Sequence, residues 1–179
     1  ILRIDANEQY SVKDGVYVSQ AISKCELQLF EQPVHRDNLD GLAEIRCKGN
    51  IPIMADEAIG DHQSLIKVLR ANCADFVKFG ITQAGGLTAA SKMIASAEAA
   101  NVQVVIGHGF GLHVSTMAEI MLGLTSDNVL PGLESVGPLK VVDTVTIEKL
   151  DIENGEIEID SRFGIGMTLD EKKLLKYDL

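Results

Sequence analysis

Short apolar runs alternate with longer stretches of helical spacing along most of the chain. Six runs have the length and composition of strands, and they lie in residues 2–10, 26–33, 51–58, 74–86, 102–111 and 128–135. Between them, apolar residues recur at helical spacing in 11–25 and 62–73, and 86–102 is rich in alanine. This alternation predicts βα units, which form a parallel sheet with right-handed crossovers.

The residues that end these runs recur at almost constant spacing. They are Asp5, Glu31, Asp56, Gly80, His108 and Glu134, with steps of 26, 25, 24, 28 and 26 residues. All strands of a parallel barrel end at one mouth, and catalytic groups lie there on different strands. A closed barrel needs about eight βα units in about 250 residues. The six units therefore predict an α/β barrel represented by its third to eighth strands.

The C-terminal part of the chain breaks the alternation. Residues 142–179 contain "VTIEKLDIENGEIEID", which predicts a hairpin around Asn154 and Gly155. We therefore predict a partial barrel at 1–141 and a segment at 142–179 that packs against a region outside this sequence. Because the chain begins with Ile1 in the middle of a strand, we expect it to be part of a longer protein.

Composition narrows the classes of partner. With 46% hydrophobic residues the chain can bury a core, and its net charge of −10 disfavours binding to nucleic acid or anionic membranes. No apolar run reaches membrane-spanning length and the N-terminus has no signal-peptide pattern. Cys25, Cys47 and Cys73 form no metal or disulfide motif, so we expect a cytoplasmic protein.

Three carboxylates at one barrel mouth would repel one another unless a cation held them. Ligation by Asp5, Glu31 and Asp56 oxygens alone selects a hard divalent ion, Mg²⁺ or Mn²⁺. The alternative is that each acid caps the following helix or is solvated. Three acids in succession at near-constant spacing favour the metal site.

Several motifs resemble those of the enolase superfamily, in its mandelate racemase and muconate lactonizing enzyme branch. They are "IDAN", "FEQP", "MADEA", the Gly85-Gly86 pair and the closing "GIGMTLDEKKLLKYDL". The resemblance implies a modified TIM barrel, a capping domain N-terminal to it, and Mg²⁺-dependent removal of the proton α to a carboxylate, which leaves an enediolate. It also implies that a small carboxylate is the substrate, that the capping domain and first barrel strands lie outside these residues, and that the protein is a homo-oligomer.

The same resemblance assigns roles to residues at the first three strand ends. It makes Asp5, Glu31 and Asp56 the metal ligands. Residues that orient those ligands would be Asn7, Gln32 and Glu57.

The proton-abstracting base is harder to place. Relatives of the cycloisomerase and epimerase type carry one lysine on the second barrel strand, outside this sequence, and another five residues before the Gly-Gly pair, where this chain has Gly80. Lys78 lies on the same strand face by alternation. It either acts as a base, with its pKa lowered, or is a structural charge with a buried partner.

Two further residues match positions of the mandelate racemase type. His108 corresponds to a histidine base, or is a histidine hydrogen-bonded in a glycine-rich loop, whereas His113 is interpreted as structural, with an exchange of roles as the alternative. Glu134 corresponds to a glutamate that must be protonated to hydrogen-bond the substrate carboxylate, or else it forms a salt bridge.

The function predicted by the resemblance is a racemase, epimerase or cycloisomerase. Two alternatives stay open. One is a dehydratase of a sugar acid or hydroxy acid, which uses the same enolate chemistry. The other is a barrel that binds metal without turnover, because Gly80 stands where a lysine or aspartate is usual.

Overall fold

The computed structural model describes residues 1–107, 110–159 and 164–177. Its centre is a parallel sheet in the order β1-β2-β3-β4-β5. The strands are β1 Arg3–Asp5, β2 Leu29–Glu31, β3 Ile53–Ala55, β4 Phe76–Phe79 and β5 Gln103–Ile106. The sixth predicted run continues the sheet by two isolated parallel bridges, Val104 with Val129 and Gly107 with Glu134. The prediction of consecutive βα units in a partial barrel is confirmed.

Helices separate the strands and cover one face of the sheet. They are α1 Val12–Ala21, α2 Leu39–Lys48, α3 His62–Ala71, α4 Ile81–Ala84, α5 Leu87–Ala99, α6 His113–Gly123, α7 Gly137–Lys140 and α8 Glu171–Tyr177, with a short 3₁₀ helix at Ser23–Cys25. The predicted strand at 74–86 is shorter than expected, because it ends at Phe79 and α4 begins directly after Gly80. None of the helices in the described ranges has both the length and the apolar character needed to cross a bilayer.

The predicted hairpin in the C-terminal segment is present. Asn154 and Gly155 both have positive φ, 53° and 82°, as a type I′ turn requires. Glu153 and Glu156 form an antiparallel bridge on either side of that turn.

Side chains alternate between the two faces of the sheet. Phe30, Ile53 and Phe79 are fully buried and pack in the main core with the helices. The other face has a smaller apolar cluster built on Leu29, Met54 and Val105. Because side chains alternate along a strand, the face of this smaller cluster also carries the residues two positions further on, at the carboxyl ends of the strands.

A buried serine joins the first βα unit to the second. Ser19 of α1 is fully buried, and its Oγ accepts hydrogen bonds from the backbone N–H groups of Asn50 (2.9 Å) and Ile51 (3.1 Å). Replacing Ser19 with Ala leaves two donors without this acceptor, so we expect a loss of about 1–3 kcal/mol in the free energy of unfolding. Urea denaturation checks this. Ser91→Ala on the exposed surface of α5 is the control, and an equal effect of the two changes would contradict the prediction.

Candidate metal centre and active site

The carboxyl ends of adjacent strands bring charged side chains to the inner face of the sheet. Asp5 of β1 is paired in register with Glu31 of β2. Glu31 pairs with Met54 of β3, which places Asp56 just beyond the end of that strand. Lys78 lies on β4, and Glu134 lies on the segment that bridges to Gly107 after β5.

Lys78 lies among three carboxylates. Its Nζ is 2.6 Å from Glu31 Oε1, 3.3 Å from Asp56 Oδ2 and 2.8 Å from Glu134 Oε2. The side chain of Lys78 is only 9% exposed, and Glu31 and Asp56 are buried as well. The sequence was compatible with two roles for Lys78, a base or a structural charge with a buried partner. The structure shows that Lys78 has buried acidic partners.

The electrostatics of this cluster follow from burial and like-charge contact. Burial raises the pKa of Glu31, a hydrogen bond with Asp56 raises it further, and Lys78 offsets only part of this effect. Burial lowers the pKa of Lys78, but the charge of Asp56 and hydrogen bonds with Glu134 and Glu31 outweigh it, so the pKa of Lys78 is raised. Of the two roles that the sequence left open for Lys78, these contacts agree with a charge that has buried partners, and its role as a base remains a prediction.

Glu134 connects Lys78 to a second cation. Arg3 Nη1 donates to Glu134 Oε1 at 2.7 Å, and Arg3 is itself fixed by Gln28 Oε1 (2.7 Å) and the carbonyl of Gly132 (3.1 Å). Burial raises the pKa of Glu134, but its hydrogen bonds with Lys78 and Arg3 outweigh this, and the pKa is lowered. Glu134 is thus ionised and paired in this arrangement, rather than protonated and available to a substrate carboxylate.

Asp5, the third predicted ligand, has a different environment. Its carboxylate accepts hydrogen bonds from the backbone N–H and the Nδ2 of Asn7, both at 2.9 Å. In the ranges that the structure describes, no three His, Cys, Asp or Glu side chains are grouped so as to hold a metal ion. The fold brings Glu31 and Asp56 together and places Asp5 beside Glu31 in the sheet, but it does not join the three carboxylates in one cluster.

The residues predicted to orient the ligands lie in the loops that follow the strands. Gln32 is fully buried, and its Oε1 accepts hydrogen bonds from the backbone N–H groups of Asp56 (3.0 Å) and Ala58 (3.3 Å). Asn7 Nδ2 also donates to Glu57 Oε1 at 3.1 Å. Gln32 and Asn7 both have positive φ, 31° and 41°, so both strand ends turn sharply at these polar residues.

The alternative that the three acids cap helices does not hold. The side chains that cap the three helices following β1, β2 and β3 are Ser11, Asn38 and Asp61. Each accepts a hydrogen bond from a backbone N–H in the first turn of its helix. Asp5, Glu31 and Asp56 are thus not needed for capping.

A glutamate that the sequence did not reveal occupies the space beside Gly80. A Cβ at position 80 would lie 2.5 Å from the carbonyl oxygen of Gly107 and 2.8 Å from Glu119 Oε1. Glu119 of α6 is 3% exposed and accepts a hydrogen bond from Ser135 Oγ. It lines a cavity of about 340 Å³ together with Gly80 and Ser115. Its only signal in the sequence is one acid within the apolar stretch "VSTMAEIML".

Of the two histidines considered in the sequence analysis, His113 lies within the described residues and His108 does not. His113, at the start of α6, is 8% exposed, and its Nδ1 lies 3.4 Å from the carbonyl oxygen of Glu148 and 3.3 Å from Thr146 Oγ1. These contacts agree with the structural interpretation of His113. His108 lies outside the described residues, so its predicted role as a base remains a prediction.

Comparison with known proteins identifies the family. The family described as Enolase C-terminal domain-like matches residues 1–173. The chain belongs to the enolase superfamily. This confirms the resemblance drawn from the three strand-end motifs.

The relatives are isomerases of the mandelate racemase and muconate lactonizing enzyme branch. The chain is 30% identical over 177 residues to a chloromuconate cycloisomerase of Cupriavidus pinatubonensis, covering 98% of this chain and 48% of the relative. It is 36% identical over 130 residues to the L-Ala-D/L-Glu epimerase of Bacillus subtilis, covering 70% and 32% respectively. The solved structure of muconate lactonizing enzyme from Pseudomonas putida superposes with a TM-score of 0.92 at 26% identity, covering 98% of this chain and 49% of that one. The chain spans about half the length of the cycloisomerases that it matches.

The crowding at position 80 leads to a stability prediction. Gly80→Ala places a methyl group against the carbonyl of Gly107 and the carboxylate of Glu119, and the backbone must move to admit it. We expect the free energy of unfolding to fall by about 1–3 kcal/mol, as for other overpacked positions. Thermal and urea denaturation measure it.

The chain offers a matched control for that change. A Cβ at Gly60 would have no atom within 4 Å, so Gly60→Ala is expected to change stability little. If Gly80→Ala were as stable as Gly60→Ala, the packing of Glu119 against position 80 would be refuted.

Proposed function

We propose that this chain forms the barrel part of an enzyme that removes the proton α to a substrate carboxylate with the help of a divalent metal ion, Mg²⁺ or Mn²⁺. The observation that carries the proposal is the buried pair of Glu31 and Asp56 at adjacent strand ends, with a positive charge between them. The family relatives support the isomerase class, because both the cycloisomerases and the epimerase belong to it.

The residues present fit a hard cation. Two buried carboxylates in contact both ionise only with positive charge beside them, and the Lys78 ammonium lies beside both. Their oxygens are the ligand type that Mg²⁺ prefers. Glu31 and Asp56 would hold the ion with Asp5, which lies beside Glu31 in the sheet. When bound, the ion would neutralise the second negative charge that develops on the substrate carboxylate.

In this proposal, Lys78 is the group of the described chain that carries the proton. For this step the Lys78 ammonium would first give up its own proton to solvent, once a bound metal ion replaced its charge at Glu31 and Asp56. The neutral amine would then take the α-proton, and the C–H electron pair would move into the carboxylate to give the enediolate of the substrate. Glu134, anchored by Arg3, would keep the Lys78 side chain directed to this side of the sheet. Return of a proton to the opposite face, from His108 or from a group outside this chain, gives racemisation or epimerisation. In cycloisomerisation, attack of one substrate carboxylate on a double bond would instead form the enolate directly, and Lys78 as an ammonium would give a proton to its α-carbon.

A metal-binding barrel without turnover is the second candidate. It is favoured by Gly80, whose lack of a side chain removes the usual base, and by the engagement of Lys78 with three carboxylates. Dehydration of a hydroxy acid would proceed through the same enediolate and differs in losing water.

Exchange of the α-proton in D₂O distinguishes these candidates. We expect deuterium to enter the α-carbon of L-Ala-L-Glu or to appear in the lactone formed from muconate, in the presence of Mg²⁺ and not after chelation. Asp56→Asn and Lys78→Ala are each expected to slow exchange by on the order of 100-fold or more, because one removes a ligand and the other the base.

The readout is NMR of the product, with Lys92→Met as a control that removes an exposed positive charge. Formation of a 2-keto acid would indicate the dehydratase. Unchanged exchange in both Asp56→Asn and Lys78→Ala would refute the proposed mechanism, and no exchange with any carboxylate would favour the barrel without turnover.

We also propose that the segment at 142–179 packs against a capping domain N-terminal to this chain. Large apolar side chains are exposed on this segment or just before it, among them Leu139, Val142, Ile147, Leu169 and Leu175. Val142→Asp in the full-length protein is expected to cost about 1–3 kcal/mol, because a charge would enter the interface. Thermal unfolding checks this against Tyr17→Asp on the exposed surface of α1. Equal melting temperatures for the two variants would count against the contact.

A further inference from the structure

We propose that the Lys78 ammonium is the resident counter-cation of Glu31 and Asp56, which a divalent metal ion must displace, so that metal binding and the position of the Lys78 amine are coupled. The inference rests on the metal site proposed above. It concerns what Lys78 does before a metal is bound, and it makes Lys78 a competitor of the metal as well as a base.

The contacts of Lys78 place the ammonium on the oxygens that a metal would use. Its Nζ is 2.6 Å from Glu31 Oε1 and 3.3 Å from Asp56 Oδ2. A Mg²⁺ ion binds carboxylate oxygens directly, at about 2.0–2.1 Å. An ammonium that is hydrogen-bonded to Glu31 and ion-paired with Asp56 occupies the space on these oxygens that a metal ion would take, and two cations in a buried site repel each other strongly. The two cations therefore exclude each other from Glu31 and Asp56.

The structure also provides a place for the displaced amine. Glu134 Oε2 already lies 2.8 Å from Lys78 Nζ, and Arg3 holds the other oxygen of Glu134 at 2.7 Å. This carboxylate stays in position when Lys78 releases its other two partners.

A glycine keeps room for that movement. A Cβ at Gly107 would lie 3.1 Å from Lys78 Cε and 2.9 Å from Glu134 Cβ, so a side chain there would crowd the lysine arm. Gly107 and the paired Glu134 together allow the amine to move away from Glu31 and Asp56 without losing every partner.

Metal titration of the full-length protein tests the competition. Lys78→Met removes the charge and keeps an apolar arm of similar length. We expect it to bind Mn²⁺ about tenfold or more tightly than the unchanged protein, which is within the usual range of coupling between two bound species. Calorimetry and the electron paramagnetic resonance signal of free Mn²⁺ measure the affinity. Lys92→Met, on the exposed face of α5, is expected to leave it unchanged.

The outcomes separate this inference from the proposed function. Equal or weaker Mn²⁺ binding by Lys78→Met, together with a loss of binding in Asp56→Asn, would overturn the competition and leave the metal site standing. Mn²⁺ binding that is indifferent to Asp56→Asn, or absent from both the unchanged protein and Lys78→Met, would overturn the metal site and the competition with it.

A second measurement does not depend on the folding of a variant. In protein labelled with ¹⁵N-lysine, the buried Lys78 ammonium is expected to give a resonance distinct from those of exposed lysines. Addition of Mg²⁺ should shift this resonance as the amine leaves Glu31 and Asp56. A Lys78 resonance that stays unchanged while calorimetry shows Mg²⁺ binding would overturn the inference.

Discussion

The repulsion between buried carboxylates at neighbouring strand ends is the constraint on which this site depends. A parallel sheet directs the ends of its strands to one edge, so Glu31 and Asp56 cannot avoid each other once β2 and β3 pair. Where both are ionised, positive charge beside them must compensate. In the structure the Lys78 ammonium does so, and Glu134 and Arg3 extend the alternation of charges away from the pair.

Two glycines give this site a shape that differs from what the family motifs imply. Gly80 stands at the end of β4, where the relatives' motif has a lysine, and its missing side chain leaves space for the carboxylate of Glu119. Gly107, at the end of β5, leaves space for the arms of Lys78 and Glu134. The positive charge of β4 is therefore carried by Lys78, two residues before Gly80, where it contacts the carboxylates of Glu31 and Asp56.

The loops that hold these groups are built from side chains that bond to backbone. Gln32 accepts hydrogen bonds from two N–H groups of the loop after β3, and so it fixes Asp56 relative to Glu31. The helices are capped by other residues, Ser11, Asn38 and Asp61. The strand-end acids therefore take no part in capping these three helices.

The relatives that match the chain are named for two kinds of isomerisation. A cycloisomerase matches 98% of the chain at 30% identity, and an epimerase matches 70% of it at 36% identity. Both kinds of enzyme share the fold that the structure shows. Likeness of fold in the barrel region therefore does not by itself distinguish an epimerase from a cycloisomerase.

The sequence by itself determined the fold class, the order of the βα units and the strand-end acids. It could do so because the periodicity of strands and helices is a local property of the sequence. In a parallel sheet, residues that end successive strands also lie at the same edge. The Asn154-Gly155 turn could also be predicted from the sequence, since type I′ geometry depends on two adjacent residues.

Only the tertiary structure decided how the charges are paired. The contacts of Lys78 with Glu31, Asp56 and Glu134 join residues 47, 22 and 56 positions away from it along the chain, and no local pattern specifies them. The same holds for Glu119, whose carboxylate lies beside Gly80 although the two residues are 39 positions apart along the chain. The direction of a pKa shift follows from burial and from which charges lie within a few ångströms, and packing fixes both.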